Sequence, residues 1–200
     1  MSNNLTKVCR CPWLDNSKPD YVAYHDHEWG VPVNEDKKFF EFLILESAQA
    51  GLSWYTVLKR RQGYKEAFSN FEVDKVARYN QDNVEALMLN TSIIRNRGKI
   101  NAAINNAKLF ITIQQEFGSF SDYMWSFVNN KVIVNDYSVL GDYPATSTES
   151  DLLSKDLKKR GFKFIGSTIC YAYMQACGLV NDHSLDCYKR KQIIAQYQQA

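Results

Sequence analysis

Hydrophobic residues recur with helical spacing over most of this chain. Apolar positions repeat every three or four residues from Asp36 to Ala50, where Gly51 closes the pattern, and again from about Ile94 to Glu116. Ser53 is a suitable N-cap for a further helix that runs through Arg61. Shorter helices are predicted at about 74–79, 82–89 and 121–128. The pattern therefore predicts an all-α protein with roughly eight or nine helices.

The last third of the chain predicts two helices joined by a short turn. The first begins near Glu149, with Thr148 and Asp151 in capping-box spacing, and ends at Gly161. The turn FKFIG follows, and then the helix STICYAYMQAC, which ends before Gly178. The stretch 129–148 is predicted to be a loop. Only its VIV triplet favours a short extended piece, and no set of strands is predicted that could form a sheet.

The turn between these two helices is a candidate phosphate-binding site. A tight turn bounded by Gly161 and Gly166 leaves backbone N–H groups at the start of the second helix free to bind an anion. The basic side chains around it are Lys158, Lys159, Arg160 and Lys163. This arrangement predicts contact with a DNA backbone, without reading of the base sequence. The alternative is an ordinary αα-hairpin with a basic corner, and the turn alone does not decide between them.

Composition limits the class of protein. With 200 residues, 45% of them hydrophobic, the chain can form one domain or two helical lobes that share an interface. The polar start and the lack of a long apolar stretch favour a soluble, cytoplasmic protein with no membrane contact. The net charge of +2, from 24 Lys and Arg against 22 Asp and Glu, is too small to indicate a nucleic-acid partner by itself.

Cysteine and histidine near both ends of the chain indicate a metal site. The 5 cysteines are an odd number in a chain without a secretory signal, which favours thiols or metal ligands over disulfides. In the segment HSLDC, His183 and Cys187 are four positions apart, which would place both on one face of a helix. One of Cys9 and Cys11, with one of His25 and His27, would complete a closed, structural Cys₂His₂ zinc site that joins the two chain ends. Spacing alone does not choose within either pair.

One carboxylate lies on the apolar side of its predicted helix. On a helical wheel of residues 37–50, Glu46 falls among apolar side chains and opposite Lys37, Lys38 and Glu41. Either a partner satisfies this buried carboxylate or it points into a pocket. The aromatic residues nearby in sequence are Tyr21, Tyr24, Trp29, Trp54 and Tyr55. Most buried aromatics are simply core, but aromatic faces beside an acid would suit a flat, positively charged ligand such as an alkylated nucleobase.

Long motifs in the chain resemble bacterial 3-methyladenine DNA glycosylase I. The motifs are CPW, YVAYHDHEWGVP, FEFLILESAQAGLSWYTVLKRR, NTSIIRNRGKI, MWSFVNN and LKKRGFKFIGSTICYAYMQACGLVNDH. The resemblance extends from Cys11 to about Cys187. It implies an all-α fold of the helix-hairpin-helix DNA glycosylase superfamily, with the N- and C-terminal segments joined by one structural Zn²⁺. A single unit of residues 1–200 is expected, divisible into a middle lobe of about 36–128 and a terminal lobe of about 1–35 plus 129–200.

The resemblance also assigns roles to individual residues. The zinc ligands that it implies are Cys11, His25, His183 and Cys187. Glu46 is implied as the catalytic, base-recognising carboxylate, in a pocket with Tyr24 and Trp54 and with Tyr21 and Trp29 as neighbours. FKFIG falls at the hairpin of the family. Related glycosylases carry a catalytic Asp after the second helix, and Asp182 lies in that stretch, but this family is known for lacking that residue in its usual role.

The implied activity is base-excision repair. The enzyme would extrude 3-methyladenine from alkylated double-stranded DNA and hydrolyse its N-glycosidic bond, with free 3-methyladenine as product. No lysine is placed to act as a Schiff-base nucleophile, so a monofunctional hydrolase without strand cleavage is expected. A cytoplasmic monomer is expected as well. The alternative is a non-catalytic, zinc-stapled module that binds damaged DNA.

Overall fold

Helices make up most of the described chain. The computed structural model describes residues 8–197, which form 11 α-helices and one pair of short strands. The helices are α1 (Pro19–His27), α2 (Asp36–Gln49), α3 (Trp54–Leu58), α4 (Arg61–Ala67), α5 (Val73–Val76), α6 (Gln81–Leu89), α7 (Arg97–Phe117), α8 (Phe120–Ser126), α9 (Thr148–Arg160), α10 (Ser167–Ala176) and α11 (Tyr188–Tyr197). The all-α prediction is confirmed, with more helices than expected.

The differences from the predicted helices are local. α1, α4 and α11 were not predicted, and the helix expected to run through Arg61 is the shorter α3, which ends at Leu58. The N-terminal capping box of α9 is made by Ser147 and Ser150, not by Thr148 and Asp151. Ser53 does cap α3, since its hydroxyl accepts a hydrogen bond from Thr56 N.

A two-residue parallel strand pair was also not expected. β1 (Ile133–Val134) pairs with β2 (Val180–Asn181), in a register that sets Ile133 opposite Val180. The VIV triplet is thus extended, as predicted. Its partner could not be found from sequence because it lies more than forty residues away, directly before His183. The pair fixes the segment that carries the C-terminal metal donors.

α2 lies in the centre of the hydrophobic core. Its buried residues include four side chains with at most 1% exposure, namely Phe39, Phe40, Phe42 and Leu43, and each fully buried side chain of this kind contributes roughly 1.5–3 kcal/mol. The same core includes residues of α7, α8 and α10. Glu46 belongs to this helix, so its position is determined by the best-packed part of the molecule.

The end of α2 is capped by a lysine from α7. Lys99 Nζ donates hydrogen bonds to the carbonyl oxygens of Ala48, at 2.9 Å, and Ala50, at 2.7 Å. These carbonyls have no partner within the helix. Lys99 therefore fixes the last turn of α2 and the chain direction from Glu46 toward Trp54.

The chain between α1 and α2 crosses directly over the end of α10. Gly30 N donates to Gln175 O and Val33 N donates to Cys177 O, each at 3.0 Å. A Cβ at Gly178 would lie 2.3 Å from the backbone carbon of Val31, and Gly178 has φ +69, so only glycine fits there. Backbone contact thus holds the N-terminal segment against α10.

None of the described helices combines the length and hydrophobicity that a membrane crossing requires.

Candidate active site and metal centre

Four soft donors from the two chain ends meet in a buried cluster. Cys11 precedes α1, His25 lies in the last turn of α1, and His183 and Cys187 lie between β2 and α11; all four are buried. Their ligand atoms lie within 4.8 Å of one another. The thiol Sγ atoms of Cys11 and Cys187 are each 3.4 Å from His183 Nδ1, and Cys187 Sγ is 3.6 Å from His25 Nε2.

Of the sequence alternatives, the structure places Cys11 and His25 in the cluster. Cys9 and His27 are exposed and lie outside it. One expectation was wrong: HSLDC is not helical. It forms a turn in which Cys187 N donates to Ser184 O at 2.8 Å, and this turn brings His183 and Cys187 together.

Hydrogen bonds fix which ring nitrogen of each histidine faces the thiols. His183 Nε2 donates to Trp29 O at 2.9 Å, which leaves Nδ1 for the cluster. His25 Nδ1 bonds Asp26 at 2.8 Å, which leaves Nε2. Asp26 is in turn held by Arg10, at 2.7–3.1 Å. Burial alone would raise the pKa of Asp26, but the hydrogen bonds from Arg10 and then from His25 hold it well below its usual range. Such outer contacts orient metal-binding imidazoles.

The two thiols cannot both ionise without a cation between them. The hydrogen bond with Cys11 lowers the pKa of Cys187, while the same contact and burial raise the pKa of Cys11. Two thiolates and two imidazole nitrogens are a complete tetrahedral donor set, and the observed S···N separations match the roughly 3.5 Å that tetrahedral zinc bond lengths imply. The described residues thus contain a buried Cys₂His₂ group that can hold a metal ion.

Next to this cluster is a cavity of about 240 Å³ with aromatic walls. Its lining residues are Trp13, Tyr21, Tyr24, Trp29, Glu46, Gln49, Trp54, Leu140, Tyr143, Pro144, Ala172 and Gln175. The rings of Tyr24 and Trp54 are 5.2 Å apart at an angle of 42°, and those of Trp13 and Trp29 are 4.7 Å apart. Three larger clefts, two of about 660 Å³ and one of about 460 Å³, lie elsewhere among the described residues, and none is lined by a fully buried carboxylate.

Glu46 supplies the carboxylate of this cavity and has no partner of its own. It is 3% exposed, and its Oε2 accepts no hydrogen bond from the described residues. No Lys, Arg or His among residues 8–197 forms an ion pair with it. Burial alone raises the pKa of Glu46 to about 8, which favours the protonated carboxyl at neutral pH. A positively charged ligand would lower that pKa and restore the charge.

Other polar atoms of the cavity wall are also unpaired. Trp13 Nε1, Trp54 Nε1 and the Tyr143 hydroxyl are buried and make no hydrogen bond with the described residues. Buried polar groups usually have partners. Their concentration around one cavity favours a polar ligand that supplies the missing hydrogen bonds.

The structure brings together all the pocket residues expected from sequence, and it adds others. Tyr21, Tyr24, Trp29, Glu46 and Trp54 line one cavity, as expected. Trp13, Tyr143 and Gln175 were missed as pocket residues. Trp13 stands in the CPW motif, beside a metal donor, which was a usable signal. Nothing in the sequence connects the long loop of Tyr143, or Gln175 on α10, to this cavity.

Asp182 is fully buried and hydrogen-bonded through both oxygens. Oδ1 accepts from Asn135 Nδ2 at 2.7 Å, and Oδ2 accepts from the Tyr171 hydroxyl at 2.6 Å and from Gln175 Nε2 at 2.8 Å. Asp182 is not among the cavity-lining residues. It therefore stabilises the wall of the cavity without direct access to a ligand.

The turn between α9 and α10 is held rigidly by α7. Asn106, 1% exposed, donates to Lys163 O and accepts from Lys163 N, both at 2.9 Å, and Asn105 donates to Gly161 O. Gly161 takes the left-handed conformation that ends α9, and Gly166 provides no side-chain cap to α10. The first N–H groups of α10 are thus open to an external acceptor.

The basic residues of this turn divide into two groups. Lys158, Lys159 and Lys163 are exposed and make no ion pair with the described residues. Arg160, expected with them, bonds Asp156 at 2.6 Å and Glu116 at 2.5 Å. Its guanidinium is already neutralised within the protein, so it is a poor candidate for a DNA phosphate.

Comparison with known proteins shows which family the chain resembles. The sequence profile of the family described as "Methyladenine glycosylase" matches residues 13–191. DNA-3-methyladenine glycosylase 1 of Escherichia coli (strain K12) is 51% identical over 178 residues, which is 89% of this chain and 95% of the relative.

Solved structures of such enzymes also superpose on the chain. A crystal structure of 3-methyladenine DNA glycosylase I has a TM-score of 0.87 at 49% identity, and covers 90% of this chain and 98% of its own. A structure of the Staphylococcus aureus enzyme, solved to describe 3-methyladenine recognition, has a TM-score of 0.87 at 39% identity and covers 90% and 96%. The chain belongs to the methyladenine glycosylase family.

Proposed function

We propose that this protein is a DNA-3-methyladenine glycosylase that hydrolyses the N-glycosidic bond of 3-methyladenine in alkylated DNA. Its family and the names of its relatives support the activity. The observation in this chain that carries the proposal is Glu46, a buried carboxylate in an aromatic cavity, one oxygen of which receives no hydrogen bond from the described residues.

The chemistry of the damaged base fits this cavity. Methylation at the 3-position makes the base cationic, so the base leaves without a proton and its bond to the sugar is already weakened. Glu46 would ionise beside the cation and accept hydrogen bonds from its edge. Trp54 and Tyr24 would contact the ring faces through stacking and cation–π attraction. Neutral bases would gain little from Glu46, which gives selectivity by charge as well as by fit.

We further propose that the base reaches the cavity by extrusion from duplex DNA, which costs least for a damaged, weakly paired base. α9, the turn and α10 would act as a helix-hairpin-helix element. The open N–H groups after Gly166 and the exposed Lys158, Lys159 and Lys163 would hold the phosphate backbone. Arg160 is left out because carboxylates already bind it.

Zn²⁺ is the ion that we propose for the four-donor cluster. Tetrahedral Cys₂His₂ coordination is typical of structural zinc and leaves no open position for a water molecule. Bound there, the ion would neutralise two thiolates and join residues 11–25 to residues 183–187. We assign it no part in the reaction. The protein would act as a monomeric unit whose middle and terminal lobes, about 36–128 and 1–35 plus 129–200, lie on either side of the cavity.

Base release from methylated duplex DNA, followed by chromatography, tests this function. The parent protein is expected to release 3-methyladenine, and Glu46→Gln is expected to lose most of that activity and most affinity for the free base in an NMR titration. Glu66→Gln, which changes an exposed glutamate, should behave as the parent. Binding of damaged DNA without base release would instead favour the non-catalytic damage-binding module, and unchanged binding by Glu46→Gln would exclude the proposed role of the carboxylate.

A further inference from the structure

The hydrolysis proposed above needs a group that orients the attacking water. The departing base is already cationic, so the water requires correct placement more than it requires a strong base. A hydrogen-bond acceptor at the edge of the cavity would be sufficient. Glu46 is 3% exposed and would be hydrogen-bonded to the base under the proposed function, so the acceptor is expected elsewhere in the cavity wall.

Asp182 cannot be this acceptor. It has no exposed surface, and its two oxygens receive hydrogen bonds from Asn135, Tyr171 and Gln175 at 2.6–2.8 Å. Water could reach it only if this group of side chains separated. Its carboxylate instead holds the side chains that donate hydrogen bonds to it.

The neighbour that reaches the cavity is Gln175. Its Nε2 donates to Asp182 Oδ2 at 2.8 Å, which fixes the amide so that Oε1 faces away from the carboxylate. Oε1 accepts no hydrogen bond from the described residues, and it is not one of the buried unpaired atoms, so it retains solvent access. The main chain is fixed as well, since Gln175 O accepts from Gly30 N at 3.0 Å. Gln175 therefore presents a rigid, unused acceptor.

The burial of the two polar groups indicates which part of the nucleotide each would contact. Glu46 is buried, whereas Gln175 is partly exposed at the same cavity. A nucleotide that enters base first would bring the base toward Glu46 and leave its sugar nearer the opening, at the level of Gln175. A water molecule held there could attack the sugar carbon.

We propose that Gln175 Oε1 accepts a hydrogen bond from the attacking water and that Asp182 is the positioning residue that holds the amide. The water oxygen forms a bond to C1′ while the bond from C1′ to the base nitrogen breaks. The bonding pair stays on the base, which leaves as neutral 3-methyladenine, and the proton of the water passes to solvent. This assignment rests on the proposed glycosylase function.

The test compares Gln175→Leu with the parent enzyme and with Gln62→Leu, a change at an exposed glutamine. Single-turnover base release by Gln175→Leu is expected to fall by roughly 10- to 100-fold, while its affinity for free 3-methyladenine stays within about twofold of the parent. Gln62→Leu should match the parent in both.

A second measurement separates water placement from a general loss of structure. With methanol added as a competing nucleophile, the ratio of methyl glycoside to hydrolysed product should rise in Gln175→Leu, because water has lost its oriented position. Asp182→Ala, which removes the acceptor for Gln175 Nε2, should show the same change in ratio.

The outcomes distinguish this inference from the proposed function. If the parent releases no 3-methyladenine, the function itself is wrong. If the parent is active and Gln175→Leu releases base at the parent rate or keeps the parent methanol ratio, Gln175 does not orient the water. A parallel loss of free-base affinity would mean that Gln175 contacts the base instead, and would also overturn the inference.

Discussion

Glu46 shows how one residue can be costly to the fold and useful to the site. The helical wheel placed it on the apolar face, and the structure buries it there, where its Oε2 receives no hydrogen bond from residues 8–197. The burial of Glu46 follows from helical periodicity, because apolar side chains three and four residues away lie on the same face of the helix. Gln175 and Tyr143 could not be found in this way, since α10 and a distant loop bring them to the cavity and no local pattern records such contacts.

The raised pKa of Glu46 predicts a pH-dependent cost to stability. The pKa is 4.5 for an ordinary glutamate and about 8 in the folded protein, so the folded state holds the proton more tightly than the unfolded state. Stability should therefore be greatest below pH 4.5, as far as this residue is concerned, and fall as pH rises toward 8. Glu46→Gln should be more stable than the parent at pH 8, by on the order of 2–4 kcal/mol.

Urea denaturation at several pH values measures this difference. The gap between Glu46→Gln and the parent should shrink as pH falls toward 4.5, and Glu66→Gln should show no pH-dependent gap. Equal pH dependence in all three proteins would mean that Glu46 has an ordinary pKa and that the site does not hold it protonated.

At the scale of helices, the long periodic elements were predictable and the short ones were not. α2 and α7 lie within about three residues of their predicted ends because each buries a continuous apolar face. α11 was missed because most of its residues are polar, and Ile193 is its buried residue. α1 was missed because two of its three buried residues, His25 and Asp26, are polar, so the helix shows little apolar periodicity.

The turn between α9 and α10 depends on one asparagine of α7. Asn106→Ala would remove the side-chain partner of both the part-buried N–H and the part-buried C=O of Lys163, at a cost of about 1–3 kcal/mol. Unfolding in urea should show this loss, and affinity for duplex DNA should fall because the turn is no longer held in one conformation. Asn101→Ala, at an exposed position of the same helix, is the control. If Asn106→Ala is destabilised but keeps its DNA affinity, the turn does not contribute to DNA binding.

The exposed lysines of the same turn predict how DNA affinity depends on salt concentration. Lys163→Ala should weaken DNA binding by a similar factor for all sequences and reduce the slope of log affinity against log salt concentration by roughly one. Arg160→Ala should leave that slope nearly unchanged, because its charge is already neutralised within the protein. Fluorescence anisotropy at several salt concentrations measures both. An equal loss of slope in the two variants would contradict the view that Lys163 contacts phosphate and Arg160 does not.

At the scale of the whole molecule, the four-donor cluster brings residues 11–25 next to residues 183–187. The sequence limited the candidate metal ligands to a few residues, because few side chains can act as soft donors. The choice of Cys11 over Cys9 and of His25 over His27 required the fold, because only packing decides which of two neighbouring side chains faces inward.

Loss of one donor should destabilise the whole protein. Cys187→Ala is expected to lose its bound metal, one ion per chain by native mass spectrometry, and to melt on the order of 10 °C lower than the parent. Cys9→Ala and His27→Ala should keep both the ion and the melting temperature. A chelator that lowers the melting temperature of the parent should have little further effect on Cys187→Ala. Equal melting temperatures in Cys187→Ala and the parent would argue against a structural ion.

The order of the donors along the chain has a consequence for biosynthesis. Two donors emerge from the ribosome at residues 11 and 25, and the other two only at residues 183 and 187. A nascent chain that has reached the middle of α7 can offer a metal ion only half of its coordination sphere. Under the proposed zinc site, closed coordination would require translation through residue 187, so the amount of tightly held ion would report chains that contain all four donors and have folded around them.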